Sequence, residues 1–247
     1  MHSLLSLERT EAHLWYVFPD MLTDPALLRT YHHLMCPEES AQHQRFYFAE
    51  ARHEYLVTRA LVRTVLSHYA SVEPWTWRFK KNAYGKPAIS APGGIPRLSF
   101  NLSNTNGLIV CLVALDREVG VDVEDLRRPG ETVDIADQFF SQIEVAALRA
   151  LPVEAQRDRF FEYWTLKEAY IKARGMGLSL PLEQFSFHLD PGQPVRISFD
   201  SCLVDAPQSW QFEQFRPTSR HMVAVALRRG LGPDLAIYLR QTVPFVY

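Results

Sequence analysis

Residues 107–124 read GLIVCLVALDREVGVDVE, in which two apolar stretches flank the charged triplet Asp116-Arg117-Glu118. The first stretch, 107–115, is much shorter than the roughly 18 residues that a membrane span requires, and it suits a buried strand. The second stretch, 119–123, is rich in valine and also predicts a strand. The charged triplet between them therefore predicts a seam between two halves of the chain, 1–116 and 117–247.

Helices are predicted on both sides of this seam. Ser141 and Glu144 have the spacing of a capping box and predict the start of a helix that reaches about residue 151. A longer helix is predicted over 155–173, ending before Gly175. The predicted helices begin near Pro25, Pro37, Glu50, Ser141 and Ala155.

The remaining regular structure is predicted to be strand. Both halves place helices before strands, and both end on a small apolar strand, 107–115 in the first and 221–227 in the second. This pattern predicts an α+β fold made of two similar sub-domains. The other predicted strands lie near 13–18, 75–80, 97–102, 119–123, 185–189, 195–199 and 210–215.

Composition excludes several classes of protein. The chain has 247 residues, 47% of them apolar and 22% charged, as in ordinary globular proteins. A formal net charge of −2 gives no reason to expect nucleic-acid binding. The three cysteines are scattered, and no apolar run is long enough for a membrane span, so we expect a reduced, soluble, cytoplasmic protein. The sequence contains no GxxxxGK[ST], strand-linked GxGxxG, GxSxG or HExxH motif, which removes support for nucleotide kinases, dehydrogenases, serine hydrolases and zinc proteases.

The strand 119–123 carries a pair of acidic residues at its end. Asp122 and Glu124 are two positions apart, so both carboxylates point to the same face of the strand. Two carboxylates on one face repel each other unless a cation lies between them, and Mg²⁺ is a natural occupant. The alternative is a solvated strand edge on which the carboxylates pair with Arg127 and Arg128.

The second charged motif lies at the end of the long helix, where residues 164–178 read WTLKEAYIKARGMGL. Glu168 and Lys172 share one helix face because they are four positions apart, and Lys167 lies beside them. The alternative is a surface ion pair, worth only about 0.3–0.5 kcal/mol. The many apolar neighbours leave little of this helix for the surface. We therefore favour a site for phosphate and a metal ion.

Two loops could contribute to the same site. Lys86 lies in the stiff turn Gly85-Lys86-Pro87, and residues 100–107 read FNLSNTNG, a strand that leads into a polar segment. Backbone N–H and hydroxyl groups in such segments can bind phosphate. Both patterns are also common in turns without a ligand.

Taken in order, the motifs YGKP, FNLSNT, GVDVE, FFSQIE and WTLKEAYIKARGMGLSLPL resemble the large, surfactin-synthetase-activating (Sfp-like) type of 4′-phosphopantetheinyl transferase, over residues 37–187. The resemblance implies a pseudo-twofold α+β monomer with coenzyme A bound between its halves. It also implies transfer of phosphopantetheine from coenzyme A to a serine of an apo carrier protein, with release of 3′,5′-ADP. Acyl, peptidyl and aryl carriers of fatty-acid, polyketide, peptide or lysine synthesis are all candidate partners, and neither nucleic acid nor a membrane is expected as a partner.

The resemblance also implies roles for the charged residues. Asp122, Glu124 and Glu168 match the Mg²⁺ ligands of the family, with Mn²⁺ as an alternative metal. Lys167 and Lys172 match its pyrophosphate contacts. Glu168, acting directly or through water, is the candidate base for the incoming serine, and Lys172 is the second catalytic residue.

A further set of residues is implied to bind coenzyme A. Lys86-Pro87 matches the wall of the pocket for adenine and the 3′-phosphate, and Ser103 matches the serine that meets the nucleotide phosphates. Asn104 stands where the family usually has histidine. Arg45 and Arg52 are the remaining basic positions of the early segment.

A second function stays open at this point. The chain could be a non-catalytic protein that binds coenzyme A or a carrier protein and has kept the fold. Asn104 favours this alternative because the imidazole contact to phosphate is missing. The intact set of Asp122, Glu124 and Glu168 favours the enzyme.

Overall fold

The computed structural model describes residues 4–130 and 133–246, which form two compact units. The first unit contains the described residues up to Ala83, Pro87–Asp116, and the described residues from Leu235 onward; the second contains Tyr84–Lys86 and Arg117–Asp234. The helices in the described residues are α1 (Pro25–Leu34), α2 (Pro37–Arg45), α3 (Ala49–Ser67), α4 (Ala136–Phe139), α5 (Gln142–Arg149) and α6 (Val153–Arg174). The strands are β1 (Glu11–Val17), β2 (Arg78–Lys81), β3 (Pro87–Ala91), β4 (Leu98–Thr105), β5 (Leu108–Leu115), β6 (Val119–Asp125), β7 (Phe185–His188), β8 (Arg196–Phe199), β9 (Trp210–Thr218), β10 (His221–Arg228) and β11 (Ala236–Gln241).

The first unit is built on a four-stranded sheet in the order β11-β1-β5-β4. Strand β5 is antiparallel to both β1 and β4, and β1 is parallel to β11. The apolar side chains Ile109, Cys111 and Val113 of β5 are buried in one core with those of α3. Seven of the eight residues of β5, Leu108 to Ala114, are buried, in agreement with the apolar sequence of this strand.

The second unit is built on the antiparallel sheet β6-β10-β9, with α6 packed against β6 and β10. Helix α6 is buried on more than one side, since Phe160, Phe161 and Tyr163 are all enclosed in its core. A two-stranded sheet, β7-β8, adds Phe185 and Phe187 to the same core. The helix ends at Gly175, which adopts the left-handed conformation (φ 64°) that glycine favours.

Gly120 lets the backbones of β6 and α6 approach each other closely. A Cβ atom at this position would lie 2.0 Å from the carbonyl oxygen of Ala169 and 2.4 Å from the amide nitrogen of Ala173. Both are backbone atoms of α6, so no side-chain movement can relieve the overlap. The second unit therefore requires glycine here.

A buried ion pair ties α5, α6 and β7 together. Glu144 accepts hydrogen bonds from the backbone N–H groups of Ser141 (2.9 Å) and Phe187 (2.8 Å), and its Oε2 lies 2.7 Å from Nζ of Lys167. Both charged side chains are fully buried. Lys167 also donates to the carbonyl oxygens of Leu182 and Phe185, each at 2.7 Å, so three acceptors surround its three N–H donors.

The structure confirms the α+β class, the capping box at Ser141 and most of the predicted elements. The polar segment after the predicted strand 97–102 is not a loop: residues 103–105 belong to β4 and pair with β5 up to the two-residue turn Asn106-Gly107. Strands β3 and β11 were not predicted. The division into 1–116 and 117–247 also needs correction, because β11 pairs with β1 and therefore belongs to the first unit.

In the described part of the chain, none of the helices combines the length and the apolar composition needed to cross a membrane.

The close contact at Gly120 predicts a large loss of stability for Gly120→Ala. We expect the free energy of unfolding to fall by at least about 2 kcal/mol, because overpacking against fixed backbone cannot relax. Urea denaturation measures the change. Gly93→Ala is the matched control, since a Cβ at Gly93 would meet nothing within 4 Å. Equal effects of the two substitutions would contradict the proposed contact.

The buried pair predicts that Lys167→Met lowers the free energy of unfolding by about 3–5 kcal/mol, because Glu144 is left charged without its partner. The double variant Glu144→Gln/Lys167→Met should lose less than the sum of its two single variants. A double-mutant cycle in urea provides the test, and simple additivity would argue against a coupled pair.

Candidate functional site

The candidate site lies where β6 faces the last turns of α6. Gly120, Asp122 and Glu124 alternate along β6 and therefore point to the same side of the strand. Because Gly120 abuts α6 at Ala169 and Ala173, the two carboxylates also face this helix. The predicted common face for Asp122 and Glu124 is thus present, and it is turned toward α6.

Lys172 of α6 pairs directly with Asp122. Its Nζ lies 2.6 Å from Oδ1 of Asp122. The Asp122 side chain is 8% exposed and that of Lys172 is 30% exposed, so the lysine lies at the open side of the pair. Lys172 can therefore reach a phosphate that approaches from solvent while it remains next to the carboxylates.

Glu124 is held by groups that sequence analysis had not assigned to the site. Nη1 of Arg128 donates to both of its carboxylate oxygens, at 3.0 and 3.1 Å, and the side chain of Trp164 also hydrogen-bonds to it. Burial raises the pKa of Glu124 to about 7, with a further upward contribution from Asp122; Arg128, Lys172 and Trp164 oppose the shift.

Glu168 completes the group from α6. Burial raises the pKa of its carboxyl to about 7, the Asp122 carboxylate adds to this increase, and Lys172 opposes it. The Asp122 carboxylate thus acts on both Glu124 and Glu168 within a partly buried region. Carboxylate oxygens are the ligands that Mg²⁺ prefers, so Asp122, Glu124 and Glu168 could hold such an ion. Within residues 4–130 and 133–246, however, no three His, Cys, Asp or Glu side chains are already arranged for metal binding.

Lys167 does not belong to this group, and its predicted contact with pyrophosphate is wrong. Its ammonium is fully buried, and its donors face Glu144 and two backbone carbonyl groups. Successive residues of a helix are turned by about 100° around its axis, so Lys167 and Glu168 face different surroundings. Lys167 is a structural residue.

Lys86 is anchored to the two elements that form the site. Its Nζ donates to the carbonyl oxygens of Val119 (3.0 Å) and Ala173 (2.7 Å), at the start of β6 and near the end of α6. Burial lowers the pKa of Lys86 to about 8, and Glu118 opposes this shift. Lys86 therefore fastens β6 to α6 at the end where Gly120 lies.

The other residues implied to bind coenzyme A belong to the first unit. Pro87 begins β3, Ser103 is buried in β4, and Arg45 and Arg52 are exposed. Asn104 is exposed at the end of β4, where its Nδ2 donates to Oε2 of Glu54 at 3.4 Å.

Arg128 is the main site residue to which none of the sequence motifs gave a chemical role. The sequence did indicate this contact, in the alternative that paired the carboxylates of β6 with Arg127 and Arg128. One of the two arginines forms such a pair: Arg128 contacts Glu124, whereas the Arg127 side chain is exposed.

Comparison with known proteins identifies the family. A model described as the 4′-phosphopantetheinyl transferase superfamily matches residues 118–226, which include the whole candidate site. A model described as 4′-phosphopantetheinyl transferase, N-terminal, matches residues 24–116.

Three curated relatives cover most of this chain or of their own length. The 4′-phosphopantetheinyl transferase HetI of Nostoc sp. is 34% identical over 92% of this chain and 92% of its own. Sfp of Bacillus subtilis, also a 4′-phosphopantetheinyl transferase, is 36% identical over 65% of this chain and 69% of its own. The human L-aminoadipate-semialdehyde dehydrogenase-phosphopantetheinyl transferase is 30% identical over 79% of this chain and 68% of its own. The chain therefore belongs to the 4′-phosphopantetheinyl transferase superfamily, in the Sfp-like type that its sequence motifs resemble.

Proposed function

We propose that this protein transfers the 4′-phosphopantetheinyl group of coenzyme A to a serine of an apo carrier protein. The serine oxygen forms a bond to the phosphorus that carries pantetheine, and the phosphoanhydride bond to 3′,5′-ADP breaks. The hydroxyl proton passes to a base, and 3′,5′-ADP leaves with the electron pair of the broken bond. The reaction therefore requires a base for the serine and positive charge near the leaving group.

The observation that supports this proposal is the group formed by Asp122, Glu168 and Lys172 in the segment that matches the family model. Glu168 supplies a carboxylate that can accept the serine proton, directly or through water. Lys172 supplies an ammonium beside the carboxylates and within reach of solvent. Its charge stabilises the negative charge that develops as 3′,5′-ADP departs.

The same residues fit a divalent cation, which we propose to be Mg²⁺, with Mn²⁺ as a substitute. The acidic side chains of Asp122, Glu124 and Glu168 would hold it. Asp122 raises the pKa of both glutamates because the carboxylates repel each other, and a bound cation would relieve this repulsion. A bound Mg²⁺ would neutralise charge on the diphosphate oxygens.

We assign the nucleotide part of coenzyme A to Lys86-Pro87, Ser103 and Asn104, with Arg45 and Arg52 as further phosphate contacts. This assignment depends on the sequence resemblance. The partner is an apo acyl, peptidyl or aryl carrier protein. The alternative, a non-catalytic binding protein, assumes that Asn104 cannot replace the usual histidine. The amide of Asn104 can still donate a hydrogen bond, as it does to Glu54, and this favours the enzyme.

Intact mass spectrometry of apo carrier proteins, incubated with coenzyme A, Mg²⁺ and this protein, tests the proposed reaction. We expect the mass of at least one carrier to increase by one phosphopantetheine. Glu168→Gln and Asp122→Asn should each slow this increase by at least about 100-fold, because they remove a base and a charge from the site. Glu154→Gln, at an exposed position in the first turn of α6, is the control and should react normally.

If the natural protein modified none of a broad set of acyl, peptidyl and aryl carriers, the binding role would replace the enzymatic one. Normal activity of Glu168→Gln in saturating Mg²⁺ would show that the base and the cation site are assigned incorrectly.

For Lys172 we expect the effect to appear in kcat. Lys172→Ala should lower kcat by about 100-fold, as when a donor that stabilises transition-state charge is removed, with a smaller effect on KM for coenzyme A. Lys172→Arg keeps the charge and should recover part of the rate. Steady-state kinetics with one carrier measures both constants, and a raised KM at unchanged kcat would assign Lys172 to substrate binding alone.

A further inference from the structure

Arg128 occupies the carboxylate of Glu124, one of the three proposed metal ligands. A single guanidinium nitrogen, Nη1, lies 3.0 and 3.1 Å from the two oxygens of Glu124. The Glu124 side chain is 12% exposed and that of Arg128 is 38% exposed, so the arginine covers the carboxylate from its open side. A cation bound by Glu124 must therefore share its carboxylate oxygens with Arg128 or displace the arginine from them.

The segment that carries Arg128 is fixed independently of Glu124. Arg157 of α6 donates from Nε to the carbonyl oxygen of Leu126 at 3.1 Å and from Nη2 to that of Arg128 at 2.5 Å. The guanidinium groups of Arg128 and Arg157 both lie over the ring of Phe161, at 5.5 and 5.2 Å from its centroid. Arg128 is therefore held beside Glu124 by its backbone and by the aromatic ring as well as by the ion pair.

Glu124 is likewise fixed independently of Arg128, because it lies on β6 and hydrogen-bonds to the side chain of Trp164. Removing the arginine should leave this carboxylate in place while removing a positive charge beside it. Lys172 likewise forms an ion pair with Asp122, two positions before Glu124 on β6. Two basic side chains of the protein thus neutralise two of the proposed ligands.

We propose that Arg128 is an internal counter-cation that competes with the divalent cation for Glu124 and thereby lowers the metal affinity of the protein in the absence of coenzyme A. This inference rests on the proposed function, since it assumes that Glu124 is a metal ligand. Arg128 acts on the metal through Glu124 and is a positioning residue.

Direct binding of Mn²⁺, followed by electron paramagnetic resonance of the free ion, tests the competition without any catalytic turnover. The natural protein, Arg128→Gln and Arg127→Gln are titrated without coenzyme A. Both variants lose one positive charge from the same segment, but only Arg128 contacts Glu124. We expect Arg128→Gln to bind Mn²⁺ about three- to tenfold more tightly than the natural protein, and Arg127→Gln to differ by less than about twofold.

A charge-retaining variant separates competition from a simple change in the local field. Arg128→Lys keeps the charge but not the guanidinium, and its affinity should lie between those of the natural protein and Arg128→Gln. Circular dichroism of each variant confirms that the fold is kept.

Equal affinities of Arg128→Gln and Arg127→Gln, or weaker binding by Arg128→Gln, would overturn the inference. Absence of Mn²⁺ binding in every variant would overturn it together with the proposed metal site. The transferase proposal would still stand in that case if a carrier protein gained phosphopantetheine in the mass assay. The two failures are therefore distinguishable.

Discussion

The backbones of β6 and α6 approach each other so closely at Gly120 that any added side-chain atom would overlap the main chain of the helix. This contact fixes the separation and the register of the two elements. From that register, Asp122 falls beside Lys172, and Glu124 falls beside Trp164, one strand repeat further along. The charged groups are held in place by backbone packing, which explains why acidic side chains can be kept together although they repel each other.

The same packing gives two lysines of α6, five positions apart, different surroundings. Lys172 lies on the face of α6 that β6 covers, and its ammonium stays partly exposed. Lys167 lies on another face, enclosed by α5 and β7, with its charge neutralised by Glu144. Whether a lysine of α6 lies at the candidate site or in the protein core therefore depends on the helix face from which its side chain projects.

Much of the fold and the centre of the site could be predicted from the sequence, because they depend on local periodicity. The alternation of Asp122 and Glu124 and the four-residue spacing of Glu168 and Lys172 each follow from the geometry of a single element. What could not be predicted depends on contacts between distant segments. The role of Glu144 as the partner of Lys167 is an example, since its sequence pattern is fully explained by the helix cap that it also forms.

Strand prediction failed for the same reason. Residues 103–105 are serine, asparagine and threonine, which are common in turns, but pairing with β5 extends β4 through them. Here the tertiary contact overrides the local preference of the residues.

The return of β11 to the first unit affects the order in which the protein can fold during synthesis. Strand β11 covers one edge of β1, and the hydroxyl of Tyr31 donates to the carbonyl oxygen of Pro244 beyond that strand. The ribosome makes all of the second unit before it makes β11. Until then, one edge of the first sheet has no partner and is open to pairing with another chain. We therefore expect the nascent chain to be most prone to aggregation after the second unit has emerged and before β11 has docked.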